Sequence, residues 1–118
     1  MDEISRASLA VFDRHAAAMT SNDPVTIASD YAEDAVVVTT FSPEPLVGRA
    51  AIAAWLKDFL GNMPQDLESA AQAPTFLRKE AIGEYVYIVV DLGSGLTATE
   101  TYHVRNDEVV FESATFPF

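Results

Sequence analysis

Three short turn signals divide the segment after Pro74 into four runs of strand-like residues. The signals are Gly83-Glu84, Gly93-Ser94-Gly95 and Asn106-Asp107. Glycine, asparagine and aspartate adopt the backbone angles of tight hairpin turns at low cost. The spacing therefore predicts an antiparallel meander of four strands, at residues 75–82, 85–92, 96–105 and 108–116.

The first half of the chain carries helical patterns. Apolar residues recur at helical spacing from Glu3 to Thr20. Asp23 and Pro24 are typical of the start of a second, short helix, which would carry Ile27 and Tyr31 on one face. A third helix presents an apolar face, and Gly61 is its expected C′ residue; that face consists of Ile52, Trp55, Leu56, Phe59 and Leu60.

Two further strands complete the prediction. Residues 35–41 are apolar and β-branched, and residues 64–73 are interpreted as a weak strand. Helices that precede a meander favour an α+β fold over alternating βαβ units. We expect a cone-shaped, curved antiparallel sheet that wraps around three helices from the first half of the chain. Its interior can hold a small ligand.

Length and composition limit the function. The 118 residues correspond to one domain, and 49% of them are hydrophobic, as in globular proteins. The net charge of −11 argues against nucleic acid or an anionic membrane as partner. Without cysteine, the chain has no disulfide or thiolate nucleophile. Neither a membrane span nor a signal peptide is visible, so we expect a cytoplasmic domain.

Three local strings give the chain a family resemblance. They are Asn22-Asp23-Pro24, Tyr31-Ala32-Glu33-Asp34-Ala35-Val36-Val37 and Val47-Gly48-Arg49-Ala50-Ala51-Ile52. In order and spacing they resemble the nuclear transport factor 2-like superfamily, in its SnoaL-like and ketosteroid isomerase-like branch. The segment Glu100-Thr101-Tyr102-His103-Val104 is similar to the start of the last hairpin of that family. The resemblance covers nearly the whole chain and implies the cone-shaped fold, which is also called cystatin-like. Because this fold hosts both enzymes and binding proteins, the activity stays open.

Glu100 is the first candidate catalytic residue. Alternation along residues 96–105 places it on the buried face, between Ala98 and Tyr102. A carboxylate on an apolar face must be paired, partly hydrated or neutral, and such groups are functional candidates. The resemblance aligns Glu100 with the aspartic acid that stays protonated in ketosteroid isomerases and donates to the substrate oxyanion. A structural carboxylate is the alternative.

Glu112 is a second candidate, and its orientation depends on the last turn. A three-residue loop at Arg105-Asn106-Asp107 would pair Glu100 with Glu112 and turn both into the cavity. A two-residue Asn106-Asp107 turn would slip the register by one residue and send Glu112 outside. Side by side, two carboxylates raise the pKa of one another.

His15 and Thr39 occupy two further positions that the resemblance marks as functional. His15 lies on the apolar stripe of the first helix and aligns with the oxyanion-hole tyrosine of the isomerases; it is the third candidate catalytic residue. Thr39 aligns with their aspartate base. A threonine hydroxyl does not abstract a carbon-bound proton unaided, so we expect a substrate-binding role and no genuine ketosteroid isomerase activity.

The remaining site predictions concern the walls of the pocket and the partners. Substrate-binding walls are expected at Tyr31, Trp55, Phe59, Ile88 and Phe116. No metal site and no cofactor are expected, because the spacings of metal ligands and phosphate loops are missing. The apolar outer face with Tyr85, Tyr87, Val89 and Phe111 is expected to form a homodimer.

These residues support two hypotheses of function. The first is a cofactor-independent isomerase or cyclase that acts on a small hydrophobic carbonyl compound by acid–base catalysis. The alternative is a non-catalytic domain that binds a ligand or only dimerises. Under the first hypothesis Glu100 must titrate within reach of solvent.

Overall fold

Four helices and six strands make up the computed structural model, which describes residues 1–118 except the side chain of Asp66. In chain order they are α1 (Glu3–Met19), α2 (Pro24–Ala28), β1 (Tyr31–Thr39), β2 (Leu46–Val47), α3 (Arg49–Gly61), α4 (Gln65–Gln72), β3 (Thr75–Ile82), β4 (Tyr85–Gly93), β5 (Leu96–Arg105) and β6 (Glu108–Thr115). Among the described residues, no helix has both the length and the apolar character needed to span a bilayer.

One curved sheet contains all six strands, in the order β2-β1-β6-β5-β4-β3. The strands β3 to β6 form the expected meander, with ends within one residue of those predicted. The α+β class and the curved sheet around N-terminal helices are confirmed. One detail differs from a purely antiparallel sheet, because β1 runs parallel to β6.

The helices begin where the sequence indicates. The Asp2 side chain accepts a hydrogen bond from the Ser5 amide at 2.7 Å, and Asp23 does the same for Val25 at 3.2 Å. Each satisfies an amide that the first turn of a helix leaves free. Helix α1 then buries a stripe from Ser5 to His15 against the sheet, and this stripe brings His15 into the interior.

Three predicted details of the first 73 residues are wrong. Helix α2 ends at Ala28, and Tyr31 starts strand β1, four residues earlier than predicted. Residues 65–72 form the helix α4, because their apolar side chains recur at helical spacing and Leu67 packs into the interior. Gly61 is the last residue of α3 and has no positive φ; Asn62 follows it as the C-cap.

The start of α3 anchors the start of β1. Gly48 has a φ of +94°, which a residue with a side chain adopts only with strain. Its amide donates to the Ala35 carbonyl at 2.8 Å, and the next residue, Arg49, donates to the Tyr31 carbonyl at 2.8 Å. Arg49 also pairs with Glu108 on β6 at 3.1 Å. The Gly48-Arg49 step therefore fixes the strand that carries Tyr31.

The last hairpin combines a two-residue turn with a bulge. Arg105 pairs with Glu108, and both turn residues, Asn106 and Asp107, have positive φ, as a type I′ turn requires. The register then shifts by one residue at Val110, since Val104 pairs with Val109 and His103 pairs with Phe111. A bulge of this kind turns the following side chains to the other face.

Candidate active site

A cavity of about 150 Å³ lies between the helices and the inner face of the sheet. Its lining is mostly apolar, with a polar group of side chains from α1, β1, β5 and β6. Eight of the predicted site residues line it: His15, Tyr31, Thr39, Trp55, Phe59, Glu100, Glu112 and Phe116. The prediction for Ile88 is wrong, because this side chain is fully buried in the core and does not line the cavity.

Glu100 reaches the cavity from the middle of β5. It is partly exposed. Its Oε1 accepts a hydrogen bond from the Tyr102 hydroxyl at 3.2 Å. Burial and the negative charge of Glu112 raise the pKa of Glu100 to about 7. At neutral pH this carboxyl therefore exists in both protonation states.

Glu112 faces the same cavity, although neither of the two registers weighed from the sequence forms in full. The two-residue turn slips the register once, and the bulge slips it again, so the side chain returns to the inner face. As a result Glu112 pairs with Tyr102 across the strands, and Glu100 pairs with Ala114. The direct pairing of the two glutamates that a three-residue loop would give does not form, while both side chains line the cavity.

Tyr31 connects Glu112 with His15. Its hydroxyl donates to Glu112 Oε1 and lies 3.3 Å from His15 Nε2. Burial, followed by the charge of Glu112, raises the pKa of Tyr31 well above its ordinary value. The phenol therefore stays uncharged and lies between the Glu112 carboxyl group and the His15 ring.

The other ring nitrogen of His15 faces Asp30. His15 Nδ1 lies 3.4 Å from Asp30 Oδ2, and Arg14 Nε donates to Asp30 Oδ1 at 2.6 Å. Burial raises the pKa of Asp30, but the hydrogen bonds from His15 and Arg14 outweigh it and the pKa is lowered. Asp30 is thus a buried carboxylate that holds the imidazole on its Nδ1 side.

Comparison with known proteins identifies the fold. No protein-family model matches the chain, and no curated protein matches it. Among solved structures, a candidate ketosteroid isomerase from Kribbella flavida is 19% identical, with a TM-score of 0.69 over 97% of this chain and 80% of that one. An NTF2-like protein of unknown function from Mesorhizobium loti is 14% identical, with a TM-score of 0.70 over 100% of this chain and 97% of that one. The chain has the nuclear transport factor 2-like fold.

A candidate polyketide cyclase from Sinorhizobium meliloti shares this fold as well. It is 18% identical, with a TM-score of 0.64 over 88% of this chain and 92% of that one. At such low identity the likeness concerns the fold alone, and the nuclear transport factor 2-like fold hosts many activities. What this chain does must therefore be argued from its own side chains.

Aromatic rings form one wall of the nuclear transport factor 2-like cavity. Trp55 stacks on Phe59 with ring centroids 4.6 Å apart, and Phe41 lies 4.9 Å from Phe59 and 4.6 Å from Phe116. All four side chains are partly exposed, whereas Tyr31 and His15 are buried. A ligand would therefore contact rings on the more open side and polar groups deeper in the fold.

Two residues that complete the polar group were not predicted as site residues. Tyr102 lies on the predicted buried face of its strand, and its hydroxyl contact with Glu100 follows from the i, i+2 spacing on that face. Asp30 was missed altogether. Its one visible signal was a charged residue between a short helix and an apolar strand, and that pattern is also typical of an exposed loop.

Proposed function

We propose that the protein is a cofactor-independent enzyme, an isomerase or cyclase that acts on a small hydrophobic carbonyl compound. The observation that carries this proposal is the Glu100 carboxyl, which reaches an apolar cavity and has a pKa of about 7. A general acid–base catalyst is most effective when its pKa lies near the operating pH. Solved structures with this fold include a candidate isomerase and a candidate cyclase.

In the proposed reaction Glu100 moves a proton between two carbon atoms of the substrate. The ionised carboxylate takes a proton from the carbon beside the carbonyl group, and the resulting acid returns it at another position. Once protonated, Glu100 no longer needs the hydrogen that Tyr102 donates. The Tyr102 hydroxyl and the new Glu100 O–H then supply donors for the enolate oxygen. Thr39, which is 8% exposed in the lining, offers a hydroxyl for positioning.

The size of the cavity points to a substrate with one ring. An apolar cavity of about 150 Å³ accommodates a molecule of about the size of benzene. The four fused rings of a steroid exceed this volume. Cyclic enones and small aromatic ketones have the right size. Each offers a flat apolar body for the aromatic wall and a carbonyl group for Glu100.

Hydrogen–deuterium exchange at the substrate tests the proposal without knowledge of the full reaction. Monocyclic ketones are first screened by thermal shift, since a ligand of the native state raises the melting temperature. Compounds that bind are then incubated with the protein in D₂O, and NMR follows the loss of the hydrogens beside the carbonyl group. We expect exchange that rises with pH through about 7, because the ionised form of Glu100 is the base.

The decisive variant is Glu100→Gln, with Glu33→Gln as the matched control. Glu33 is an exposed glutamate on β1. We expect Glu100→Gln to slow the exchange by about 10²- to 10⁴-fold and Glu33→Gln to leave it unchanged. Exchange at equal rates in Glu100→Gln and the wild type refutes the catalytic role. A thermal shift without any exchange favours the alternative, a non-catalytic ligand-binding domain.

We also propose that the outer face of the sheet forms a homodimer. Several apolar side chains on this face are exposed, among them Ile82 at 82% and Tyr85 at 56%. Tyr87, Val89 and Phe111 lie on the same face and are partly exposed. Light scattering after gel filtration should give twice the chain mass of 12.8 kDa, and Val89→Lys should reduce it to the single mass. A monomeric wild type contradicts this proposal.

A further inference from the structure

Tyr31 has a single hydroxyl hydrogen but two partners. Glu112 Oε1 lies within hydrogen-bond distance on one side and His15 Nε2 lies 3.3 Å away on the other. When the hydrogen points to Glu112, the contact with His15 needs a hydrogen on Nε2. When it points to His15, the contact with Glu112 needs a hydrogen on the carboxyl group. A neutral imidazole, a neutral phenol and an ionised carboxylate together hold one proton too few for both contacts to be hydrogen bonds. Either arrangement therefore needs one more proton, held by His15 or by Glu112.

Asp30 contacts the ring nitrogen of His15 that faces away from Tyr31. Its carboxylate is 4% exposed and is paired with Arg14 at 2.6 Å. Because a carboxylate only accepts hydrogen bonds, His15 Nδ1 must carry a hydrogen in both arrangements. The other ring nitrogen, His15 Nε2, faces Tyr31.

We propose that Tyr31 relays a proton between His15 and Glu112, and that Asp30 is the positioning residue that keeps His15 ready to supply it. In one step His15 Nε2–H passes its proton to Tyr31 Oη while Tyr31 Oη–H passes its own to Glu112 Oε1. The imidazolium becomes neutral, the carboxylate becomes an acid and Tyr31 is regenerated. The three heavy atoms already lie at hydrogen-bond separations, so no group has to move far.

The relay would serve the proposed acid–base reaction, and in that purpose it rests on the proposed function. The negative charge of Glu112 opposes ionisation of Glu100. A proton delivered to Glu112 removes this opposition, so Glu100 becomes a base at the moment when Glu112 becomes an acid. The cavity then holds one proton acceptor and one proton donor, which an isomerisation needs.

The charged and titratable groups near His15 come from α1, from the junction of α2 and β1, and from the sheet. Arg14 precedes it on α1, Asp30 lies just before β1, Tyr31 starts β1, and the sheet contributes Glu100, Tyr102 and Glu112. Of these, Tyr31 has an atom that contacts both His15 and Glu112. Tyr102 is also buried and donates to a carboxylate, but its partner is Glu100, so Tyr102→Phe is a matched control for Tyr31→Phe.

The test uses NMR of the substrate-free protein, so its outcome is independent of any catalytic activity. Histidine is labelled with ¹⁵N and glutamate carboxyl groups with ¹³C, and His103→Gln separates the two histidine signals. Asp30→Asn should shift the His15 ¹⁵N signals towards those of the neutral ring and the Glu112 ¹³C signal towards that of the acid. The fraction of His15 that becomes neutral should match the fraction of Glu112 that becomes protonated. In a Tyr31→Phe background Asp30→Asn should move the Glu112 signal less than it does with Tyr31 intact, because only the through-space effect of the charges remains. In a Tyr102→Phe background the matching shifts should persist.

The relay is overturned if Asp30→Asn does not change the Glu112 ¹³C signal. It is also overturned if Asp30→Asn changes that signal equally in the Tyr31→Phe background and with Tyr31 intact. If Asp30→Asn does not fold, the Tyr31 hydroxyl proton of the unmodified protein gives a second measurement. It should appear as a downfield resonance with a cross-peak to the His15 ring, vanish in Tyr31→Phe and persist in Tyr102→Phe. A spectrum without that cross-peak overturns the proposal as well.

Discussion

Replacement of Glu100 by glutamine should make the protein more stable at alkaline pH. Burial and the charge of Glu112 raise the pKa of Glu100 from the ordinary 4.5 to about 7. At about 1.4 kcal/mol per pH unit, the ionised carboxylate lowers the free energy of unfolding by about 3 kcal/mol relative to the protonated one. Glutamine keeps the shape of the protonated side chain but carries no charge at any pH.

The direction of the pH dependence follows from which state binds more protons. Since the pKa is higher in the folded state, the contribution of Glu100 to stability is complete below about pH 4.5 and is lost as the pH rises through about 7. Of this total loss in the free energy of unfolding, about 2 kcal/mol occurs between pH 5.5 and pH 8.5. This interval avoids the sequence pI of about 4.3, where solubility is lowest.

Urea denaturation of both proteins at pH 5.5 and pH 8.5 measures the effect. The advantage of Glu100→Gln over the wild type should grow by about 2 kcal/mol between the two pH values. Taking the difference removes the general repulsion that a net charge of −11 produces at high pH. Glu33→Gln, at an exposed position, should show no such growth. An advantage that stays constant between the two pH values refutes the raised pKa and with it the proposed base.

Four further substitutions test other parts of the structure. Glu112→Gln removes the neighbouring negative charge, so the pKa of Glu100, followed by NMR, should fall below about 7. Ile88→Ala should cost about 2–5 kcal/mol in urea denaturation and leave ligand affinity unchanged, whereas Phe59→Ala should change the affinity. Asp107→Gly relieves a φ of +65° in the I′ turn and should raise stability by about 1 kcal/mol; a loss of stability would show that the side chain of Asp107 is needed.

The meander was predictable because its signals are local. Each turn contains residues that tolerate positive φ, and β3, β4 and β5 each end at or beside one of them. The bounds of β3 and β5 agree with the prediction at both ends. Helix α4 was not predictable in the same way. Its eight residues are mostly polar, and its three apolar residues, Leu67, Ala70 and Ala71, are too few to make the helical spacing evident from the sequence.

The polar group of the cavity was predictable only in part. Alternation along one strand places Glu100, and the helical stripe places His15, since both follow from the period of a single element. Asp30 and Tyr31 depend on where α2 ends and β1 begins, which the contacts of Arg49 and Arg14 decide from distant parts of the chain. Contacts of this kind leave no periodic trace in the sequence.

Glu112 shows why two local features have to be known together before a site can be predicted. The two-residue turn without the bulge would turn this side chain to the outer face. The bulge at Val110 combined with a three-residue loop would also turn it to the outer face. Together they restore the inner face, and they also move Glu112 away from Glu100 to a position opposite Tyr102. This displacement leaves Glu112 free to accept the hydrogen of Tyr31 while its charge still acts on Glu100. One extra residue in one strand thus places Glu112 where it contacts Tyr31 and still acts on Glu100.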